Sequence, residues 1–430
     1  MSKIQLEPVR GFRDLLPPFS HRLTRLMHIF EEIAQQHGYF EIKPPTLERF
    51  EIFALKSGEE IRRSMYVFHD KAGREVTLRP EATASIARIY LKHLRHLPKP
   101  IRIYYIINCF RYEEPQYARY REFWQAGIEI IGGRGLEYDF ESIKLLVKFY
   151  EKIKMINHIK LKIGNTALYR NLFTKYKLQE NIQDHILHLL DKKQYKEAVK
   201  TIEKHSLDPR LVEFLEKLWK NPKDLDKARE LVDEYYPDLA THIEELVILR
   251  NNIKSYKQEL SVEVDLSFAR GLAYYTGIIY EVIIEDFPVS IAGGGRYDTL
   301  IELYGGERTP GTGFAIGLDR TLMAMEELGL SLPVDPITKI AIIVLKDAPL
   351  RYIAEIQDKV VENPHIVSTI FWYTRLPKIL PQLQQQGYTY AIIVGGKEYQ
   401  NRSASIRNLN TKEQVEVPLD EIQKHLTSRK

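Results

Sequence analysis

Strand-type and helix-type segments alternate unevenly along these 430 residues, a pattern that predicts a mixed α/β (α+β) protein. It has a sheet domain interrupted by a helical insertion and followed by a separate C-terminal α/β module. Three observations carry this. Two strand runs, 101–110 and 123–131, flank a charged loop; residues 165–258 turn Lys- and Glu-rich with helical spacing; and the last hundred residues restart a strand–helix–strand rhythm. The length alone calls for two or three domains, at roughly 100–200 residues each.

With 44% hydrophobic and 28% charged residues the chain can bury large cores without disulfide or metal staples. The balance of 62 Lys+Arg against 58 Asp+Glu is too even to demand a nucleic-acid partner by itself. Cys109, the only cysteine, excludes an intrachain disulfide and suits a reducing compartment, so a cytoplasmic home is expected. The opening MSKIQLEPVRGFRDLLPP mixes acids, arginines and prolines, and no run of about 18 apolar residues occurs, so neither secretion nor membrane insertion is expected.

Leu23, Leu26, Met27, Phe30 and Ile33 recur at helical spacing and predict a helix over 20–36, stopped by Gly38. In GYFEIKPPTLE the strand-like residues run into Pro44 and Pro45, which places that strand at a sheet edge or end, where missing amide donors are tolerated. IRIYYIINCF, 101–110, reads as a strand buried on both faces. RYEEPQYARYRE, 111–122, reads as a long charged loop before strand character resumes at Phe123. Helical patterns over 165–258 are separated by Pro209, Pro222 and Pro237. Strands return at 262–266 and 278–284, with ARGLAYYTG between them. The tail then reads as strand IAIIVL, a helix near 350–361, strand-like STIFWY, a helix through Gln385 and strand YAIIVGG, after a boundary near Pro333 and Pro336.

Within this frame some residues invite a chemical reading. Period-two alternation sends Trp124, Ala126, Ile128 and Ile130 to one face of the second strand and Phe123, Gln125, Gly127 and Glu129 to the other. The second set is either an ordinary solvated face or the wall of a small polar pocket, with Gly127 leaving space. IAGGGRYD lets backbone approach a ligand closely, and equally suits a tight turn. In GTGFAIGLDR a strand leads into a helix with Arg320 in its first turn, a placement that opposes the helix dipole unless an anion binds there; a surface ion pair with Asp319 is the plainer alternative. Glu81 in PEATASIARIY reads as an acid at a helix start. Neither GxxxxGK[ST] nor a strand-linked GxGxxG occurs, so a nucleotide would have to be held by arginines and sheet-borne side chains. HLRH at 93–96 and HILH at 185–188 lack zinc-site spacing, and no metal site is expected.

The succession of FRYEEPQYARYREFWQAGIEIIG, RGLAYYTG, GGGRYD and GFAIGLDR resembles the histidyl-tRNA synthetase family of class II aminoacyl-tRNA synthetases, essentially end to end. VRGFRDLLPP and TLRPEAT match the family's openings, and GYFEIKPPTLE resembles class II motif 1, which implies a homodimer. The resemblance implies an antiparallel-sheet catalytic domain in two parts, 1–164 and 259–330, a helical insertion at 165–258 and an anticodon-binding domain at 337–430. It implies ATP, L-histidine and tRNA(His) as substrates, with magnesium accompanying ATP.

By the same resemblance Arg111, Arg270 and Arg320 are the catalytic arginines, the first two at the α-phosphate and the third at the γ-phosphate. Glu113, Arg119 and Phe123 complete the ATP site. Glu81, Thr83 and Gln125 take the α-amino group of histidine, Glu129 and Tyr275 its two imidazole nitrogens, and Tyr274 belongs to the same pocket. Glu114 and Gln116 fall in the loop expected to meet the tRNA acceptor end. Three positions depart from the common bacterial pattern: Ala273 for Asp, Glu114 for Arg and Ala118 for Gly. Two other readings share the core: a regulatory paralogue of the ATP phosphoribosyltransferase type, which tends to lack these arginines and the C-terminal module, and a prolyl or threonyl synthetase, which lacks the RGLAYYTG and GGGRYD pair.

Overall fold

Leu23, Leu26, Ile29, Phe30 and Ile33 form the buried stripe of the helix Phe19–Gln36, and Gly38, at φ +81°, turns the chain out of it. Met27, placed on that stripe by spacing alone, is only half-buried. The computed structural model describes residues 4–55, 64–205, 208–269, 274–332, 337–372 and 375–427. Arg270, Ala273, Pro333 and Pro336 lie outside the described residues. The chain divides into two units, Met1–Leu332 and Pro333–Lys430.

The first unit is built on an eight-stranded sheet of β1 (Phe40–Glu41), β5 (Ile101–Phe110), β6 (Glu122–Ile131), β7 (Lys160–Asn165), β8 (Ser261–Val264), β9 (Ile278–Ile283), β10 (Ala292–Arg296) and β11 (Gly311–Gly317), in the order β1-β5-β6-β11-β10-β9-β7-β8. Neighbours run antiparallel except for the outermost pairs, β1 with β5 and β7 with β8. The strand before Pro44 is thus an edge strand, as its prolines require, though only two residues long. A smaller sheet of β2 (Leu47–Arg49), β3 (Val67–His69) and β4 (Glu75–Leu78) was not evident from spacing; its strands are too short to show a period.

Alternation divides the large sheet cleanly. Tyr104, Ala126, Ile128 and Ile130 join the core under the helices Phe19–Gln36 and Leu136–Lys152, while Ile103, Tyr105, Ile107 and Cys109 belong to the opposite face with Tyr274, Tyr275 and Tyr297. Helix Leu136–Lys152 escaped the sequence reading, although Ile143, Leu146, Phe149 and Tyr150 are its buried stripe. AGGGR is strand β10, inside the sheet, and not a turn.

Among the described residues six α-helices and a short 3-10 turn lie between β7 and β8, beginning with Thr166–Lys175 and ending with Ala240–Tyr256. Asn165, Asp208 and Asp224 cap helix starts through their side chains, and Pro209 occupies a first-turn position that needs no amide. A buried ionic chain ties this region to the sheet: Arg296 of β10 donates to Asp139 and lies 3.6 Å from Glu245, which accepts from Asn165 at 3.0 Å. Burial pushes the Asp139 carboxyl up to about 6 against the pull of Arg296.

The second unit carries β12 (Thr338–Val344), β13 (Ile366–Trp372), β14 (Tyr390–Val394), β15 (Ser403–Asn408) and β16 (Gln414–Pro418) in the order β13-β12-β14-β15-β16. The first three are parallel and the last two antiparallel. The apolar run of β12 serves two cores: Ile340, Ile342 and Val344 face helix Leu350–Val361, and Ala341 and Ile343 face helix Leu376–Gln385. Strands β15 and β16 were missed because polar residues break their pattern.

Phe30 is fully buried and meets Phe149 and Phe314 edge-on, at centroid distances of 5.8 and 6.2 Å, joining two helices to β11. Phe30→Ala is expected to destabilise the first unit by about 3–5 kcal/mol. A cost below about 1 kcal/mol in urea unfolding followed by tryptophan fluorescence would show that the three elements do not depend on this ring.

Candidate active site

Strand β6 and the loop before it put charge next to a sheet face that is otherwise apolar. Phe123, Gln125 and Glu129 project from β6 into a cleft whose other walls carry Glu81, Thr83, Tyr105, Tyr274, Tyr275 and Tyr297. The rim of the same cleft holds Arg111, Glu113, Tyr120, Asp319 and Arg320. Ten residues singled out from sequence therefore line one cleft. Arg119, Glu114 and Gln116 do not line it; they belong to the adjoining loop, where Glu114 pairs with Arg10 at 3.1 Å and Gln116 bridges Arg119.

At the inner end Glu129 is buried, 1% exposed. Thr83 Oγ1 donates to one carboxylate oxygen at 2.8 Å and the Tyr297 hydroxyl to the other. Gly313 on β11 makes room, since a Cβ there would fall 2.1 Å from Glu129 Oε2. The space expected beside Gly127 is taken by the Tyr105 ring, whose hydroxyl would lie 2.4 Å from an added Cβ. Burial drives the Glu129 carboxyl up to about 8, against the lowering effect of its two hydrogen bonds.

Glu81 satisfies both of its sequence readings. Its oxygens accept the amides of Thr83 at 2.5 Å and Ala84 at 2.9 Å, holding the start of helix Thr83–Ile89, yet the carboxyl faces the cleft. Burial raises its proton affinity, while those amides and Arg111 lower it. Cys109 donates to Gln125 Oε1 at 3.2 Å, and burial pushes the thiol up to about 12, so it remains a donor.

At the outer end the arginines are anchored on carbonyls. Arg111 Nε donates to Pro80 O at 3.1 Å, and its guanidinium lies 5.2 Å from the Phe123 ring centre. Glu113 sits 4.0 Å from Arg111 and 3.7 Å from Arg119. Arg320 donates to Ala118 O at 3.0 Å and Ser290 O at 3.1 Å. Ala118 adopts φ +58°, the left-handed conformation that glycine takes without strain, so alanine keeps the turn a glycine would make and stiffens it. Asp319 is paired with Arg13.

Chemically, the inner end offers acceptors and phenols suited to a small polar ring or an amine, and the outer end concentrates guanidinium groups suited to phosphates. Sequence reasoning missed Tyr105, Tyr120, Tyr297 and Asp319 as lining residues. The signal for Tyr297 was available, since it directly follows β10 in GGGRYD, but an aromatic residue is most often packing.

Residues 11–321 match the family model described as Histidyl-tRNA synthetase, and residues 339–429 match that of the Anticodon binding domain. A histidine–tRNA ligase of Sulfurisphaera tokodaii is 41% identical over 416 residues, covering 96% of this chain and 97% of that protein. One from Saccharolobus islandicus is 41% identical over 424 residues, covering 97% and 98%. The crystal structure of histidyl-tRNA synthetase from Nostoc shares the fold at a TM-score of 0.75 and 22% identity, over 100% of both chains.

Because the folded-state carboxyl of Glu129 binds its proton more tightly than the unfolded one, its contribution to stability is full below about pH 4.5 and is lost as pH rises through about 8. Glu129→Gln is therefore expected to stabilise the ligand-free protein by about 1–3 kcal/mol at pH 9 and little at pH 5. Equal melting temperatures for the two proteins at pH 9 would count against a buried, ionising Glu129.

Proposed function

Since the chain belongs to the histidyl-tRNA synthetase family, we propose a division of labour among its residues for the ATP-dependent ligation of histidine to tRNA. The protein is an aminoacyl-tRNA synthetase: it activates histidine with ATP and joins it to tRNA, releasing AMP and diphosphate. The single observation that carries the assignment of roles is the polarity of the cleft, with buried acceptors and phenols inside and arginines at the mouth.

In this reading Glu129 and Tyr275 bind the imidazole nitrogens, with Tyr274 packed beside them, and Glu81, Thr83 and Gln125 take the α-amino group. A neutral imidazole has one donor and one acceptor, so a carboxylate and a phenol match both. An apolar amino acid would leave Glu129 facing nothing, and sites of this kind discriminate by roughly 10⁴-fold or more. Arg111 holds the α-phosphate, Phe123 stacks on adenine, Glu113 and Arg119 complete the ATP site, and Arg320 binds the γ-phosphate. Arg270 is assigned the far side of the α-phosphate.

The histidine carboxylate attacks the α-phosphorus in line, the bond to the β-phosphate oxygen breaks, and pyrophosphate leaves. The 3′-terminal ribose hydroxyl of tRNA then displaces AMP from the adenylate. The chain's part is to align these groups and to neutralise charge as it grows on the α-phosphate. Among the described residues no group of three or more His, Cys, Asp or Glu is arranged to hold a metal. Magnesium arriving on the outer phosphates of ATP needs only one or two carboxylates, and Glu113 is a hard oxygen donor at that end of the cleft. Glu114 and Gln116, outside the cleft on the exposed loop, are assigned to the tRNA acceptor end.

Residues 1–164 and 259–330 serve as the catalytic domain, 165–258 as an insertion and 337–430 as the anticodon-binding domain. A homodimer is supported by Phe40, exposed on edge strand β1, with Leu47 and Phe68 exposed on the small sheet. No described helix is long and apolar enough to cross a membrane, and work on tRNA suits the cytoplasm.

ATP–pyrophosphate exchange with each of the twenty amino acids, without tRNA, is expected to respond to histidine alone; exchange with proline or threonine, or with none, would overturn the reading. Arg111→Ala and Arg270→Ala are each expected to lower single-turnover adenylate formation by about 10²–10³-fold with folding intact. Near-normal rates in either variant would remove that arginine from the transition state.

A further inference from the structure

We propose that Arg13, in the segment ahead of the first helix, is a positioning residue for the outer-phosphate end of the ATP site, acting through Asp319 and Tyr120. The proposal rests on the reading of Arg320 as a phosphate-binding arginine. Arg13 Nη2 donates to Asp319 Oδ1, and its guanidinium carbon lies 3.5 Å from the Tyr120 ring centre and 4.9 Å from that of Phe19. Asp319 and Tyr120 both line the cleft, and Arg13 stands behind them.

Asp319 is an awkward neighbour for a polyphosphate. Its side chain is 3% exposed and it directly precedes Arg320. The fold nevertheless needs an acceptor there. Strand β11 pairs with β6 only as far as Gly317 opposite Gln125, and the amide of Trp124, one residue beyond, donates to Asp319 Oδ2 at 2.6 Å. Removing the acceptor would leave a half-buried amide unmet. One carboxylate oxygen therefore serves the end of the β6–β11 ladder and the other receives Arg13, whose charge cancels the repulsion Asp319 would exert on an incoming triphosphate. Stacking on Tyr120 uses the same guanidinium to fix the end of the loop that carries Arg111, Glu113 and Arg119.

The test is histidine-dependent pyrophosphate exchange in Arg13→Met, with ATP and histidine varied in turn. The KM for ATP is expected to rise about tenfold or more while that for histidine stays within about twofold. Adding Asp319→Asn to Arg13→Met keeps an acceptor for the Trp124 amide but removes the charge, and is expected to bring the ATP KM back to within about threefold of the parent. A merely structural strap would raise both KM values and would not be rescued. An unchanged ATP KM, a joint rise in both, or failure of the second substitution to rescue overturns the proposal. If Arg13→Met does not fold, Arg13→Gln, which keeps a donor for Asp319 without the charge, takes its place; an ATP KM raised less than about threefold there overturns it equally. Loss of histidine-dependent exchange in the parent protein would instead overturn the reading of the site itself.

Discussion

A carboxylate buried in the middle of a sheet is the constraint around which this molecule is arranged. Glu129 cannot remain there without partners, because an unmatched acid in a dry interior costs several kcal/mol. Its partners come from three directions: Thr83 from a helix after the small sheet, Tyr297 from the end of β10, and Gly313 from β11, which contributes by having no side chain. The register of β6 against β11 and the entry angle of helix Thr83–Ile89 are thus tied to one side chain. The demand of one buried acid for partners holds the walls of the cleft at their spacing.

The arginines follow a complementary rule. Arg79, Arg111, Arg121 and Arg320 are each oriented by backbone carbonyls: those of Pro44 and Asn108, of Pro80, of Glu113 and Arg10, and of Ala118 and Ser290. A carbonyl orients a guanidinium without cancelling its charge. Of the four, Arg111 and Arg320 line the cleft, so their guanidinium groups are held in place there before any ligand arrives.

Much of this was legible in the sequence wherever one period dominates. Period two divided β6 correctly, so Gln125 and Glu129 could be placed on the cleft side, and period 3.6 found helix Phe19–Gln36. The reading failed where pattern and environment part company. Strand β10, with three glycines in five residues, shows no period; β15 and β16 are punctuated by polar residues. Contacts between residues distant in sequence left no local trace: the hydrogen bond from Tyr297 to Glu129 and the pairing of Arg13 with Asp319 join positions that spacing never compares. Motif order supplied what periodicity could not, because the order of glycines, arginines and tyrosines reflects the cleft itself.

Strands β7 and β8 are neighbours and parallel, with Lys160 opposite Ser261, although a run of helices from Thr166 to Tyr256 separates them in the chain. A parallel pair needs a return path of only about a dozen residues. From the sheet's side, then, residues 166–260 are one oversized crossover, and its outer helices are surplus to closing the loop. Closure entropy grows only with the logarithm of length, so this module is nearly free to lengthen, shorten or change its surface while β7 and β8 stay in register. The architecture separates the strands that must hold their register from a module whose length and surface they do not fix.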